Sequence, residues 1–407
     1  ALQSVQGKML QCNKTLDWYA AKGIPALEDT LQAARKTVQL IQVIDSTRKE
    51  AGQQVMLLEG FVPVMRDKDI ERLCDQYQAP AIAAVPIPAD RPPVLLKNNR
   101  FARLFEPIGR LFALPDYQEL DLTPFFAPFF MLFFGFCLGD AGYGIILLAG
   151  ASWYKYRVKQ TLRPVMLLLQ LLGIATIFFG ILTGTVFGLN LLDDRFASLG
   201  QIRNWMLDSD QTFQLALLLG FAQIIFGLVI KAYSQVRQFG LQYGLGTTGW
   251  IILLMGLMNT AVLQLVPSPL AGWIPWLGVG LILLFNDPAA GWLGRIGKGI
   301  WELYGITGIF GDLLSYIRLF ALGISSAILG FVVNDIAVQI RDGIAYAGPV
   351  LFVIFLFIGH GLNLLIASLG AFVHPMRLTF VEFYKNAGFS GGGQALTFDQ
   401  KTLNSEK

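Results

Sequence analysis

The sequence predicts a polytopic α-helical membrane protein of about eight spans, the last two long and tilted, with a small N-terminal cytoplasmic α/β domain. Three observations predict it. Of 407 residues, 54% are hydrophobic and only 14% charged, whereas soluble chains carry about 25% charged residues. Charge is also unevenly placed: 30 of the 59 Lys, Arg, Asp and Glu lie in residues 1–124, and 29 in the other 283. From Pro124 onward, apolar runs approach or exceed the ~20 residues that a spanning helix needs. The expected domains are 1–123 (helical plus α/β, with a Pro-rich linker), 124–385 (membrane) and 386–407 (a Gly-rich cytoplasmic tail). A net charge of +3 gives no reason to expect nucleic acid. Cys12, Cys74 and Cys137 are too scattered for a metal site or a disulfide framework.

Residues 1–52 read as helical. Leu27, Leu31, Ala34, Val38 and Ile41 recur on one helix face, with Pro25 interrupting the run. Val55–Leu58, Phe61–Val64 and Ala81–Val85 read as strands around a short helix at Arg66–Gln76, a βαβ-like fragment. Pro86, Pro88, Pro92 and Pro93 mark a linker. The piece has no His and no phosphate-binding loop. It reads as a docking or supporting module.

In the apolar piece, expected spans are Leu162–Gly188, Thr212–Ile230, Leu245–Val266, Trp273–Phe285, Gly305–Val333 and Gly348–Phe372, the last extending to Tyr384. Phe125–Tyr154 is divided by the Gly-rich break at 139–144. Lys and Arg accumulate on the cytoplasmic side of a membrane. Lys155, Arg157, Lys159 and Arg163 put one loop inside, and the four Asp of 189–211 put the next outside. Lys231 and Arg237 are then inside, uncharged Pro267–Gly272 outside, Arg295 and Lys298 inside, the Asp335–Asp342 segment outside and the tail inside. With a cytoplasmic N-terminal piece, 125–154 must cross twice, as two short helices. One long span there, with an external N-terminal domain, is the alternative. Gly180, Gly184 and Gly188 form a small-residue series suited to helix packing.

Ionisable groups inside spans are costly and are functional candidates by default. They are Asp140 at the break, Asp312 and Arg318 in span seven, and His360, His374, Arg377 and Glu382 along span eight, which carries both histidines of the chain. His360, Asn363, Ala367, Gly370, His374 and Arg377 advance by three or four and share a face. Gly308, Gly311, Ser315, Arg318, Leu322 and Ser325 make a similar stripe on span seven. Facing each other, the stripes would form a polar seam with both arginines inside. Bland counterparts exist: Arg377 snorkelling to headgroups, Arg318 paired with Asp312, the histidines bonding between helices, and Asp140 capping a helix.

At these residues a family resemblance appears. PFFAPFFMLFFGFCLGDAGYG at 124–144, GDLLSYIRLFAL at 311–322, and HPMRLTFVEF at 374–383 followed by GFSGGG at 388–393 resemble signatures of the V/A-type ATPase stator subunit, called subunit a or subunit I. LLEGFVP at 57–63 and PPVLLKNN at 92–99 resemble its cytoplasmic domain. The resemblance implies eight membrane helices beside a rotating proteolipid (c/K) ring bearing carboxylates. It also implies a cytoplasmic domain joined to peripheral stalks, and indirect ties to the central stalk and ATPase head. By it, Arg318 and Arg377 are the ring-facing arginines, and His374 and Glu382 are polar neighbours of the second. Asp140 is the acidic residue of the GD motif. His360, Asp312 and Ser315 join these on the expected proton path. Ser326 and Ala367 stand where eukaryotic members often carry acidic and His residues. The cytoplasmic piece is shorter than the family's, so truncation at the N-terminus is expected. The implied function is proton translocation against the ring, with no cofactor. Without a nucleotide site the chain would be no enzyme alone. The implied location is a prokaryotic plasma membrane, with both termini cytoplasmic. A secondary transporter with a mid-membrane ionic site is the competing class, although its usual internal repeat is missing.

Overall fold

The computed structural model describes residues 2–50, 55–87, 92–158, 160–191, 206–260, 270–288, 291–344 and 346–393. Most of the acidic 189–211 loop, residues 267–269 of the expected outer loop and tail residues 394–407 lie outside them. The chain divides into two compact units, Ala1–Val85 and Pro86–Lys407.

In the first unit, α1 (Leu2–Trp18) passes through a π-helical turn (Tyr19–Gly23) into α2 (Ile24–Ser46). Pro25 follows directly on the π-helical turn, and it lacks the N–H that would continue the helical ladder there. The expected helix ends six residues early, because Arg48–Glu50 is strand β1, paired antiparallel with β2 (Val55–Leu57). Helix α3 (Asp67–Tyr77) matches expectation within a residue. The strands expected at Phe61–Val64 and Ala81–Val85 do not form, so there is no βαβ unit among the described residues. Pro63 has no ladder donor, Pro80 and Pro86 bracket the second segment, and neither segment finds a partner strand. The predicted stripe on α2 is real in spacing but uncovered, with Leu27, Leu31, Val38 and Ile41 all exposed.

The second unit is helical. Helix α4 (Ala102–Arg110) buries Phe105 and Ile108 against α5 (Thr123–Leu138). Gly139 takes the left-handed conformation (φ 55°) that ends α5, and Asp140 caps α6 (Ala141–Lys155). The Gly-rich stretch is therefore a turn between two helices of ~24 and ~22 Å at 1.5 Å per residue. Helix α7 (Arg163–Thr183) packs closely on α5 and α6, because a methyl at Gly135, Gly144 or Gly180 would strike backbone on the facing helix or its cap.

Helix α7 stops short of the expected Gly188. Gly184 and Gly188 have φ of 68° and 70°, which a helix interior does not permit, and the chain turns into the hairpin β3 (Thr185–Val186) and β4 (Leu189–Asn190). Of the glycine series, only Gly180 packs from within a helix. Then follow α8 (Ser209–Phe239), α9 (Leu241–Met258), α10 (Leu270–Phe285) and α11 (Trp292–Leu303). The last carries Arg295 and Lys298, for which the sequence predicts only an inside position between spans.

Span seven was expected to be continuous. It is broken at Tyr316 into α12 (Ile306–Ser315) and α13 (Ile317–Gly343). Span eight is α14 (Gly348–Arg377), continued by a π-helical stretch (Leu378–Phe383) and α15 (Tyr384–Asn386). The run Gly348–Asn386 covers 39 residues, ~58 Å if straight. Among the described residues five helical runs are long and apolar enough to cross a membrane: 163–183, 209–239, 241–258, 292–343 and 348–386. Thr123–Leu138 and Gly272–Phe285 are apolar but shorter. The core is aromatic, with Phe105, Phe126, Phe130, Phe133, Tyr316 and Phe383 fully buried. The last helix stands apart: 6% of its most apolar stretch is buried by the rest of the chain, against 39% for α7, α8 and α9.

Candidate functional site

The two long helices pack on each other and carry most of the candidate residues. Arg318 occupies the first turn of α13, just past the break at Tyr316. The break is fixed by packing. The Tyr316 ring fills space left by Gly220 of α8, and its hydroxyl donates to Gln223 Oε1 at 2.7 Å. Arg318 is partly buried; its Nη1 is fully enclosed and has no hydrogen-bond partner among the described residues. Nor does it have a carboxylate at ion-pair distance there. Asp312 turns instead to Lys385 Nζ (3.0 and 3.1 Å) and to Asn386 Nδ2 (3.0 Å). The Arg318–Asp312 pair weighed from the sequence does not form.

Around Arg318 lie groups that feel its charge: His374 on α14, Glu382 on the π-helical stretch and Cys137 on α5. His374 also feels Arg377, which is exposed. Glu382 is 2% exposed, and its Oε2 has no partner among the described residues. The Ser315 hydroxyl donates to the Gly311 carbonyl and lies beside the Glu382 carboxylate. Thr379 Oγ1 and Gln223 Nε2 are likewise buried without partners. A buried polar atom without a partner costs ~1–3 kcal/mol. Four such atoms, the Arg318 Nη1 included, mark a place built to hold polar matter rather than a packed core. The π-helical geometry at 378–383 supports this, since such stretches cluster at functional sites.

A second polar cluster lies ~12–24 Å further along α13, between Ser326 and Asn334, at 1.5 Å per residue. His360 Nδ1 meets the Tyr143 hydroxyl at 2.8 Å, and His360 Nε2 meets Asn334 Oδ1 at 2.9 Å. Asn363 Nδ2 reaches Tyr143 Oη (2.8 Å) and the Ser326 carbonyl (3.2 Å). Asp140, 1% exposed, accepts three backbone N–H groups: Tyr143 and Phe187 at Oδ1, Gly188 at Oδ2. Its carboxylate is thus filled by a helix cap and a hairpin clamp.

The residues singled out from the sequence therefore fall into two groups. Arg318, Arg377, His374, Glu382, Ser315 and Asp312 gather near the Tyr316 break. Asp140 and His360 belong to the distant cluster. Sequence reasoning missed Tyr143, Asn334, Gln223, Tyr316, Lys385 and Asn386. Gln223 and Asn334 could have been found by extending the intramembrane rule from charged to amide side chains. Lys385 and Asn386 could not, because their partner Asp312 is distant in sequence. Among the described residues no group of three His, Cys, Asp or Glu could hold a metal ion.

Comparison with known proteins adds an independent finding. The model of the V-type ATPase 116kDa subunit family matches residues 2–192. The chain is 30% identical to A-type ATP synthase subunit I of Methanothermobacter thermautotrophicus, over 90% of this chain and 54% of that protein. It is 28% identical to the subunit of the same name from Methanocaldococcus jannaschii (83% and 54%). It is also 28% identical to V-type ATP synthase subunit I 1 of Treponema pallidum (89% and 61%). The chain spans a little over half the length of these relatives.

Proposed function

We propose, from the premise that this chain is a relative of the V-type ATPase 116kDa subunit family and of the subunits I of A-type and V-type ATP synthases, that it is the membrane stator of a rotary ATPase. In this reading it crosses a prokaryotic plasma membrane eight times with both termini cytoplasmic. α5 and α6 make the first two crossings. The uncovered side of α13 and α14 faces a ring of small membrane subunits, each bearing one carboxylate. Peripheral stalks hold the stator still, and the central stalk and ATPase head couple to it indirectly through the ring.

The mechanism follows from the cost of charge in lipid. A ring carboxylate facing hydrocarbon must be protonated. Beside Arg318 the ionised form is favoured, and the proton is released. It leaves through one polar half-channel, a new proton enters from the other, and the ring advances. The Glu382, Ser315, His374 and Asp312 group would line the cytoplasmic half. The Tyr143, His360 and Asn363 group would line the outer one, with Asp140 as its clamp. Arg377 adds positive charge at the seam. A fixed positive charge between the halves also blocks a direct leak. Each proton crossing 100 mV carries ~2.3 kcal/mol, which other subunits would convert at the nucleotide.

The observation that carries this reading is the Nη1 of Arg318, enclosed and without a partner among the described residues, on a helix pair whose outward face the chain leaves bare. The test is Arg318→Ala and Arg318→Lys in the complete complex, reconstituted in vesicles. Both variants should assemble and lose ATP-driven ion translocation. Lysine should fail because it sheds its charge in a dry site and lacks the planar fork. Normal translocation by either variant overturns the reading.

A further inference from the structure

The outer cluster has a hydrogen-bond direction that two backbone carbonyls decide. A carbonyl can only accept. The Asn334 atom 2.7 Å from the Phe187 carbonyl is therefore the amide nitrogen, so Oδ1 faces His360. His360 Nε2 must then donate, and in the neutral ring Nδ1 accepts. By the same logic the Asn363 atom facing the Ser326 carbonyl is nitrogen, and that nitrogen also donates to Tyr143 Oη. The Tyr143 proton then goes to His360 Nδ1. For the neutral ring the network thus assigns one tautomer, with the proton on Nε2.

The Phe187 carbonyl is the reference for this order, and Asp140 holds it. The Phe187 carbonyl and the Gly188 N–H belong to one planar trans peptide, so they point in opposite directions. Asp140 Oδ2 takes the Gly188 N–H at 2.8 Å, which aims the carbonyl at Asn334. Oδ1 holds the neighbouring Phe187 N–H and the Tyr143 N–H, so both ends of the His360 contacts are tied to one carboxylate. Phe187 accepts a φ of 50°, rare outside glycine, and Gly188 one of 70°. A methyl at Gly188 would also run into the Gly330 backbone of α13. Phe187 and Gly188 are the two loop residues of the β3–β4 hairpin, and such a tight turn itself takes positive φ at both positions; the Asp140, Asn334 and Gly330 contacts hold that turn in place.

We propose that Asp140 is the positioning residue of His360: it orients the Phe187–Gly188 peptide, which fixes Asn334, which fixes His360 with its proton on Nε2 and its open nitrogen, Nδ1, turned to Tyr143. The functional consequence rests on the stator reading, because only there does His360 exchange protons. Protonation would then add one proton at Nδ1, with Nε2–H still bound to Asn334. The Tyr143 oxygen would then accept from Nδ1–H, and its own proton would turn away from the imidazole.

The test uses the isosteric variant Asp140→Asn. An asparagine oxygen at the Oδ1 place keeps the helix cap and the Phe187 N–H. Its NH2 at the Oδ2 place cannot accept from Gly188. The full chain carries two histidines, so a His374→Gln background leaves His360 as the single imidazole. In lipid vesicles at a pH where the ring is neutral, nitrogen-15 NMR should show only Nε2–H in that background. Adding Asp140→Asn, or separately Asn334→Ala, should bring up the Nδ1–H form as a second resonance pair. A single unchanged Nε2–H species in the folded Asp140→Asn chain overturns the proposal. This readout needs no ring and no turnover, so it stands or falls apart from the Arg318 test. In the assembled complex, with His374 intact, Asp140→Asn should lower ion translocation several-fold. Full translocation despite a mixed tautomer would overturn the functional consequence and leave the positioning.

Discussion

Replacing Arg318 with methionine should make the chain more stable while removing its function. Methionine keeps much of the volume and flexibility of the arginine stem, so the change isolates the guanidinium. A centrally placed arginine costs ~2.5–3.5 kcal/mol on insertion scales. The side chain is only partly buried, so part of that cost is relieved by residual access. A gain of about 1–2 kcal/mol is expected, or roughly five- to thirtyfold in the folding equilibrium. The opposite sign follows if the guanidinium is locked in a static pair. Removing one partner of a buried ion pair typically costs 3–5 kcal/mol. The distances favour the first case, since Asp312 is engaged by Lys385 and Asn386. The assay is denaturant unfolding of the full chain in mixed micelles, wild type against variant. A loss of 3 kcal/mol or more would refute the reasoning. It would mean that Arg318 has a fixed carboxylate in its own subunit, and a passing partner would no longer be needed to explain it.

Two further predictions concern the scaffold. Tyr316→Phe and Gln223→Leu should each destabilise by ~1–2 kcal/mol, because each leaves a buried polar partner unpaired; the double variant should recover part of the loss. A coupling near 1 kcal/mol is expected, since bonds between membrane helices average ~0.6 and reach ~1.7, and strict additivity in a double-mutant cycle would show that the bond carries no energy. Gly180→Val should cost 3 kcal/mol or more, beyond the usual ~1–3 for overpacking, because the added atoms meet the Asp140–Ala141 backbone rather than a movable side chain; a folded yield equal to wild type would contradict the close α6–α7 approach.

Much of the organisation was legible because hydrophobicity has a length scale. The apolar runs, the Gly-rich turn at 139–144 and the length of the last helix all follow from how many residues cross a ~30 Å core. The break at Tyr316 was not legible. No proline or glycine marks it, and it depends on a ring packing into space left by Gly220 on a helix far away in sequence. The end of α7 was misread for a related reason: Gly184 and Gly188 look like helix-packing glycines but are needed for positive φ. In the first unit, period and composition suggested three strands, yet a strand exists only with a partner, and only Arg48–Glu50 and Val55–Leu57 found each other.

The sequence by itself determined which side chains are too polar for their surroundings, because the cost of a charge in hydrocarbon depends on residue type and position along a span. It therefore picked out Arg318, Glu382, Asp312, Asp140 and both histidines. Only the tertiary structure decided how each cost is met. Asp140 is saturated by three amides, Asp312 by a lysine and an amide, His360 by Tyr143 and Asn334, while Arg318 and Glu382 keep enclosed atoms unmatched. Those pairings join positions far apart in the chain, and a hydrogen bond is won or lost over a fraction of an ångström, a distance no local pattern encodes.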